Sequence, residues 1–269
     1  IEATSGSAAG EAQAMGEQAH LINAALPFSS APVQAARPFE IEDDGRDHRR
    51  ALLCLTQAVY YEAGFEPLAG RRAVAQVVLN RMRHPAFPKS VCGVVYQGAR
   101  APVCQFSFVC DGSLYRAPAP AAWREAERIA RAALDGYVET SVGAATHYHA
   151  DYVAPRWAPM LTKIAKLGAH IFYRWPGTWG QRGAFTGRYG GESQDPMALR
   201  PAPRTDTDPL PAQVLAAAEA GPPIARAPND VGGLLDVSKG WTLTIPGPDD
   251  VSGSASRALA QQRAEPASP

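Results

Sequence analysis

Prolines and glycines are unevenly distributed along this 269-residue chain, which restricts where a folded core can form. Residues 176–269 hold 13 of the 24 prolines and 12 of the 24 glycines, and they contain few periodic apolar runs. This composition is typical of linkers, because both residues interrupt helices and strands. We therefore expect a low-complexity segment at 1–46 that partly wraps the domain, a folded domain at 47–175, and a largely disordered tail at 176–269.

The formal net charge of zero hides a basic domain between two acidic flanks. Residues 48–175 carry 16 basic and 8 acidic side chains, whereas residues 1–47 carry 2 and 8, and residues 176–269 carry 8 and 10. A basic domain suits an anionic polymer such as peptidoglycan, a nucleic acid or a membrane surface. Nucleic acid is a poor fit because no base-stacking motif is present. No apolar run approaches the ~18–20 residues of a membrane span.

The apolar spacing of the domain predicts helices joined to a few short extended runs. The helices are expected at 47–64, 67–84, 88–97 and 120–136, with a weaker one at 11–25. Extended runs are expected at 104–110, 142–149 and 170–175. The fold class is therefore predicted to be helix-rich α+β with a small β element, flanked by disordered termini.

One carboxylate, Glu62, lies on the apolar face of the first predicted helix. Leu55 and Ala58 precede it at helical spacing, and Gly64 is a suitable helix end, which places Glu62 in the last turn. Apolar neighbours and the negative end of the helix dipole both disfavour a charged carboxylate, so its pKa is expected to rise. A carboxylic acid that stays protonated near neutral pH can donate a proton in catalysis.

Several ordered blocks surround this glutamate. They are Tyr61-Glu62-Ala63, Glu66-Pro67 with Gly70, Ala73 to Arg81, Phe87-Pro88, Val94 to Gln97, Phe106-Ser107, Gly143 to Tyr148 and Gly168 to Tyr173. Together they resemble the cell-wall hydrolase family of the SleB type, which includes spore cortex-lytic enzymes. The resemblance covers residues 50–174 and implies a lysozyme-like fold, similar to that of lytic transglycosylases. It further implies that the substrate is the glycan strand of peptidoglycan and that Glu62 is the catalytic acid.

A mechanism with a single acid fits this sequence better than one with two carboxylates. Most glycosidases use a pair, and the candidate partner is Glu66, but Gly64 and Pro67 make it unlikely to stack on Glu62. In the single-acid mechanism Glu62 protonates the glycosidic oxygen. As a carboxylate it then takes the proton of the muramoyl 6-hydroxyl, which closes a 1,6-anhydro ring. Whether cleavage is this transglycosylation or a hydrolysis stays open.

Polar side chains of the types that bind sugar hydroxyl and N-acetyl groups are candidate substrate ligands. They are Glu66, Asn80, Gln97, Gln105, Ser107, Thr146 and Tyr148. A structural role is at least as compatible with any one of them, since Asn80 can brace the second helix and Tyr148 can belong to the core.

Two other functions stay open. His147 and His149 lie on one side of a predicted strand and could serve a zinc-dependent hydrolase, but no motif fixes a third ligand. We therefore expect no metal and no cofactor. A non-catalytic cell-wall-binding module is the other alternative, with the tail at 176–269 as a flexible spacer that could contact a partner in the cell wall or periplasm.

Four cysteines in the domain lack Cys-x-x-Cys spacing, so we expect two disulfides and an exported protein of the periplasm or cell wall. Cys104 and Cys110 bracket a run that would span about 20 Å if extended, too far for a bridge that needs Cα atoms within ~7 Å. The pairs predicted are therefore Cys92–Cys104 and Cys54–Cys110. A signal peptide is not visible in this sequence.

Overall fold

The computed structural model describes residues 12–41, 45–101 and 104–201, and within them the fold contains six helices and five strands. The helices are α1 (Gly16–Ala25), α2 (Arg46–Ala63), α3 (Leu68–Arg83), α4 (Val91–Val95), α5 (Pro120–Leu134) and α6 (Pro196–Leu199). The strands are β1 (Ala12–Met15), β2 (His147–Ala150), β3 (Val153–Pro155), β4 (Thr162–Leu167) and β5 (His170–Arg174). The prediction of a helix-rich α+β domain is confirmed. None of these helices is long and apolar enough to cross a membrane.

Helix α2 is the centre of the hydrophobic core, and α3, α4 and α5 pack around it. Leu55 and Ala58 of α2 are fully buried, as their spacing predicts. Helix α5 turns a row of small side chains toward the core, including Ala126 and Ala130, which lets its backbone approach α2 closely.

Helix α2 ends where the sequence predicts. The N–H of Gly64 donates to Tyr60 O, and Pro67 follows in an extended conformation before α3 begins. The end of α2 leaves Glu62 in its last turn. At the other end, Asp47 lies inside the first turn and makes no capping hydrogen bond.

The larger sheet is antiparallel, with strand order β2-β5-β4. Tyr148 pairs with Phe172, and both side chains join the helical core, whereas Tyr173 packs with Trp157 on the opposite face. The strand expected at 142–149 begins only at His147, because residues 140–142 form a 3-10 turn that a glycine with positive φ follows.

The N-terminal segment lies along the sheet. Strand β1 pairs with β3, and the Nδ2 of Asn23 donates to the carbonyls of Asp151 and Val153. The ammonium of Lys163 donates in return to Asn23 O at 2.6 Å and Leu26 O at 3.0 Å. These hydrogen bonds fasten residues 12–26 to the domain through buried polar groups.

The folded part of the chain extends beyond the expected boundary at residue 175. The N–H of Gly187 donates to Arg83 O, and Glu192 accepts hydrogen bonds from the N–H groups of Val91 and Cys92 at the start of α4. The prediction of a disordered tail is therefore wrong for residues 176–201. The remaining residues, 202–269, lie outside the part of the chain that the structure describes.

The predicted disulfide pairing is wrong. The bridges are Cys54–Cys92, with a Cα–Cα distance of 5.2 Å, and Cys104–Cys110, at 6.2 Å, in place of Cys92–Cys104 and Cys54–Cys110. The error arose from treating residues 104–110 as extended. Residues Ser107–Val109 form a 3-10 turn, and the N–H of Cys110 donates to Ser107 O, so the chain doubles back and brings the two cysteines together.

Candidate active site

Glu62 meets a tyrosine from the sheet at the end of α2. The hydroxyl of Tyr148, in strand β2, donates to Glu62 Oε2 at 2.9 Å. Tyr148 is fully buried, whereas Glu62 keeps a small accessible surface. One carboxyl oxygen of Glu62 is therefore held by the protein, in a residue that is not completely enclosed.

Burial raises the pKa of Glu62 from 4.5 to about 7. The hydrogen bond from Tyr148 and the positive charge of Arg81 lower this pKa, and the negative charge of Asp111 raises it. Loss of hydration outweighs the two stabilising contacts, because a carboxylate loses more solvation than a carboxylic acid. The direction predicted from the sequence is confirmed, and at neutral pH a large share of Glu62 carries a proton.

A buried arginine, Arg81 of α3, supports the same site. Its Nε donates to Thr146 O at 2.6 Å, and its guanidinium lies over the rings of Phe87 and Phe106, 5.3 and 5.5 Å from their centroids. Burial lowers the pKa of Arg81 to about 10, so it is still a cation at neutral pH. The sequence did not predict a role for Arg81, because no hydrophobic pattern indicates that an arginine is buried. Its position at the end of the block Ala73 to Arg81 was the one signal that pointed to it.

The loop closed by Cys104–Cys110 packs beside Glu62. The ring of Tyr61 stacks on Phe108 with centroids 4.9 Å apart, and its hydroxyl donates to Ser113 O at 3.1 Å. Asp111 accepts from the N–H of Ser113 at 2.8 Å. Tyr61, the residue before Glu62, thus contacts both the disulfide-bridged loop and the segment that follows it, which carries the carboxylate of Asp111.

Three predicted sugar ligands use their polar groups inside the fold. The Nδ2 of Asn80 donates to the carbonyls of Gly143 and Ala145, and its Oδ1 accepts from Gln76. Glu66 Oε2 accepts from the N–H of Ala169 at 3.0 Å. The hydroxyl of Thr146 bonds with the adjacent His147 ring. These contacts favour a structural role for all three.

The remaining predicted ligands lie on two paired segments. The N–H of Gln105 donates to Gln97 O at 2.9 Å, and Ser107, which is partly accessible, follows in the same loop. Gln97 Oε1 is buried and accepts no hydrogen bond from the described residues. The contacts of the described residues therefore do not account for the side-chain oxygen of Gln97, whereas Tyr148 acts on the carboxyl of Glu62.

The histidine pair is arranged for packing. His149 uses both ring nitrogens, bonding Ala150 O through Nδ1 and the Tyr173 hydroxyl through Nε2. The rings of both His147 and His149 pack against Trp157, and burial lowers the pKa of each, to about 4 for His149. Within the ranges that the structure covers, no group of three His, Cys, Asp or Glu side chains is placed to hold a metal ion. The zinc hypothesis thus lacks its third ligand there.

Known proteins resemble the middle of this chain. Residues 65–173 match the family described as cell wall hydrolase. A spore cortex-lytic enzyme of Halalkalibacterium halodurans is 37% identical over 118 residues, which cover 44% of this chain and 33% of that enzyme. One of Bacillus subtilis is 38% identical over 118 residues, which cover 44% of this chain and 35% of its own length. The chain thus spans about a third of these curated relatives, and Glu62 lies just before the residues matched to the family.

A solved structure of the catalytic domain of the Bacillus cereus SleB protein is 30% identical. The superposed residues cover 49% of this chain and 100% of that domain, with a TM-score of 0.40. The catalytic domain of the germination-specific lytic transglycosylase SleB from Bacillus anthracis is 32% identical, with 49% and 99% coverage and a TM-score of 0.41.

Proposed function

The chain belongs to the cell wall hydrolase family of the SleB type, and from that premise we propose that it cleaves the glycan strand of peptidoglycan with Glu62 as its general acid. The observation that carries the proposal is the carboxyl of Glu62, whose pKa burial raises to about 7, so that a large share of it keeps its proton at neutral pH. Sequence similarity to spore cortex-lytic enzymes supports the choice of substrate.

The hydrogen bond from Tyr148 assigns a role to each oxygen of Glu62. Because the phenol donates to Oε2, that oxygen is the acceptor and the acidic proton is assigned to Oε1. Transfer of this proton to the glycosidic oxygen breaks the bond to the anomeric carbon of the muramoyl sugar. The 6-hydroxyl of that sugar then bonds to the anomeric carbon, and Glu62 takes up its proton, which restores the acid.

The surroundings of Glu62 favour this intramolecular route. Glu66, the carboxylate nearest in sequence, is committed to the N–H of Ala169. Asp111 is exposed, and its charge raises the pKa of Glu62, so it is the described carboxylate best placed to activate water if the reaction is a hydrolysis. The products distinguish the two reactions.

We expect 1,6-anhydromuramoyl ends on the sugars released from purified peptidoglycan. Digestion in ¹⁸O-labelled water followed by mass spectrometry tests this, because the anhydro product takes no oxygen from solvent. Reducing muramic ends that carry the heavy isotope would establish a hydrolase, and Asp111→Asn should then abolish turnover. An anhydro-forming enzyme should tolerate Asp111→Asn.

Replacing Tyr148 with phenylalanine should move the alkaline limb of kcat/KM to higher pH. In the wild type this limb follows deprotonation of Glu62, at about pH 7. The phenol stabilises the carboxylate, so its loss raises the pKa of Glu62 further. Turnover at neutral pH should also fall about tenfold, because a charge-assisted hydrogen bond no longer orients the carboxyl. Tyr137→Phe, at a hydroxyl that bonds Arg72, is the matched control; an unmoved or acid-shifted limb in Tyr148→Phe would contradict this role.

We further propose that the protein acts in the periplasm or cell wall, where this substrate lies. Both disulfides support an exported protein, because such bonds persist in oxidising compartments. A partner bound through the tail beyond residue 201 stays a prediction.

A further inference from the structure

Arginines line a groove between the N-terminal segment and the residues that follow β5. A cavity of about 280 Å³ has Arg174 and Arg182 in its wall. It adjoins a smaller pocket lined by Arg37 and Arg83, and the two share Gln34, Ala144 and Arg182. We call these joined cavities the arginine groove. No aspartate or glutamate belongs to its lining.

The charges of these arginines are not neutralised by the fold. Among the described residues, none of the four forms a salt bridge. Arg83 donates to the carbonyls of Arg37 and Pro38, each at 2.6 Å, and Arg174 donates to Trp175 O at 3.2 Å. Carbonyl oxygens hold the guanidinium groups in place but leave their positive charge uncompensated, which favours an anion in the groove.

The groove depends on parts of the chain outside the family match. Arg37, Arg174 and Arg182 all lie beyond residues 65–173, and only Arg83 lies within them. Residues 31–37 form one wall of the joined cavities, and residues 180–182 form another. Most of the arginines of the groove therefore lie outside the residues matched to the family.

We propose that the arginine groove binds carboxylates of the peptide stems that branch from the glycan strand, an inference that rests on the proposed function. A guanidinium group binds a carboxylate through two parallel hydrogen bonds. Several arginines without counterions can therefore bind more than one carboxylate in the same groove. A cavity of about 280 Å³ has the size of a small-molecule site, so it accommodates a short peptide end rather than a folded partner. Stem recognition would hold the strand while Glu62 cleaves it.

The test is direct binding of a soluble stem peptide to the full chain. The peptide carries a fluorophore and free carboxyl groups, and a second peptide has the same sequence with each carboxyl amidated. Fluorescence anisotropy should show binding of the free-acid peptide and at least tenfold weaker binding of the amidated one, the size expected for losing a charge-assisted pair. Arg174→Gln combined with Arg182→Gln should weaken binding of the free-acid peptide by a similar factor.

Arg128→Gln is the matched control, because Arg128 is exposed on α5 and pairs with Glu125. It should leave peptide binding unchanged, and thermal unfolding should show that each variant is folded. Equal binding of the two peptides, or full binding by the folded double variant, would overturn the inference. Tighter binding of a phosphate polymer than of the free-acid peptide would assign the groove to phosphate instead.

The outcome is independent of cleavage, because peptide binding is measured without glycan. A protein that releases sugars from peptidoglycan but ignores the peptide carboxylates keeps the proposed function and loses the groove assignment. A protein that binds the peptide through Arg174 and Arg182 but releases no sugars loses the proposed function instead.

Discussion

Turnover of purified peptidoglycan should fall at least ~100-fold when Glu62 is replaced by glutamine, which is the low end for removing a general acid. The amide has the shape of the carboxyl but neither donates the acidic proton nor accepts it back. Release of soluble sugars measures the effect. Glu127→Gln is the matched control, because Glu127 is an exposed carboxylate of α5 that pairs with Arg131 and should leave turnover unchanged.

The same substitution should stabilise the protein at alkaline pH, which shows independently that the variant is folded. In the unfolded chain Glu62 ionises near pH 4.5, and in the folded protein near pH 7. The folded state is therefore disfavoured progressively as the pH rises between these values, and by a constant amount above them. Glutamine removes this loss, so Glu62→Gln should unfold with a higher free energy at about pH 8, by about 3 kcal/mol at most, and with an equal one at about pH 4.

Near-normal turnover in a folded Glu62→Gln protein would refute the catalytic assignment. A cell wall-binding module that does not cleave its ligand should be insensitive to this residue. Binding to intact peptidoglycan with no sugar release from the wild type would therefore establish the binding alternative.

Replacing both Cys54 and Cys92 with alanine should lower the free energy of unfolding by about 4 kcal/mol, as the loop-closure relation gives for a span of 38 residues. This bridge ties α2 to α4 across the core. The bridge between Cys104 and Cys110 closes a span of only 6 residues. Replacing both of these cysteines should therefore lower the free energy of unfolding by only about 2 kcal/mol. Urea unfolding of the two double variants measures the difference, and a larger loss for the second pair would contradict the order.

Peptide mapping without reduction checks the pairing itself. A disulfide-linked peptide that joins Cys54 to Cys92 is expected, and one that joins Cys92 to Cys104 would contradict the structure.

The end of α2 was predictable because several local signals agree there. Leu55 and Ala58 fix the buried face by their spacing, and Gly64 with Pro67 ends the helix. The position and raised pKa of Glu62 follow from those signals alone. Its partner Arg81 was not predictable, because its burial depends on how α3 packs against Thr146, just before strand β2.

The turn at 104–110 was misread because alternation is ambiguous in a short run. Phe106 and Phe108 alternate with polar residues as in a strand, yet Gln105 and Val109 are buried as well. Odd- and even-numbered residues of this run both enter the core, because the chain forms a 3-10 turn there and not a strand. Tertiary packing and a disulfide decided the conformation, and neither is visible in a hydrophobic pattern.

The predicted sugar ligands show a similar limit. Asn80 and Thr146 have side chains suited to sugars, but Asn80 joins α3 to the carbonyls of Gly143 and Ala145, and the hydroxyl of Thr146 bonds with the ring of His147. Residue type indicates which bonds a side chain can make. It does not indicate whether the protein itself already provides the partner.

Lys163 sets a lower limit on the fragment of this protein that can stand alone. Its ammonium is enclosed by Asn23 O, Leu26 O and the ring of Phe28, whose centroid lies 4.1 Å away. A fragment cut at the borders of the family match would strip this cation of every one of those contacts, and it would also discard the helix that bears Glu62. The residues matched to the family therefore differ from the residues that pack together as the folded domain, and the folded domain begins well before residue 65.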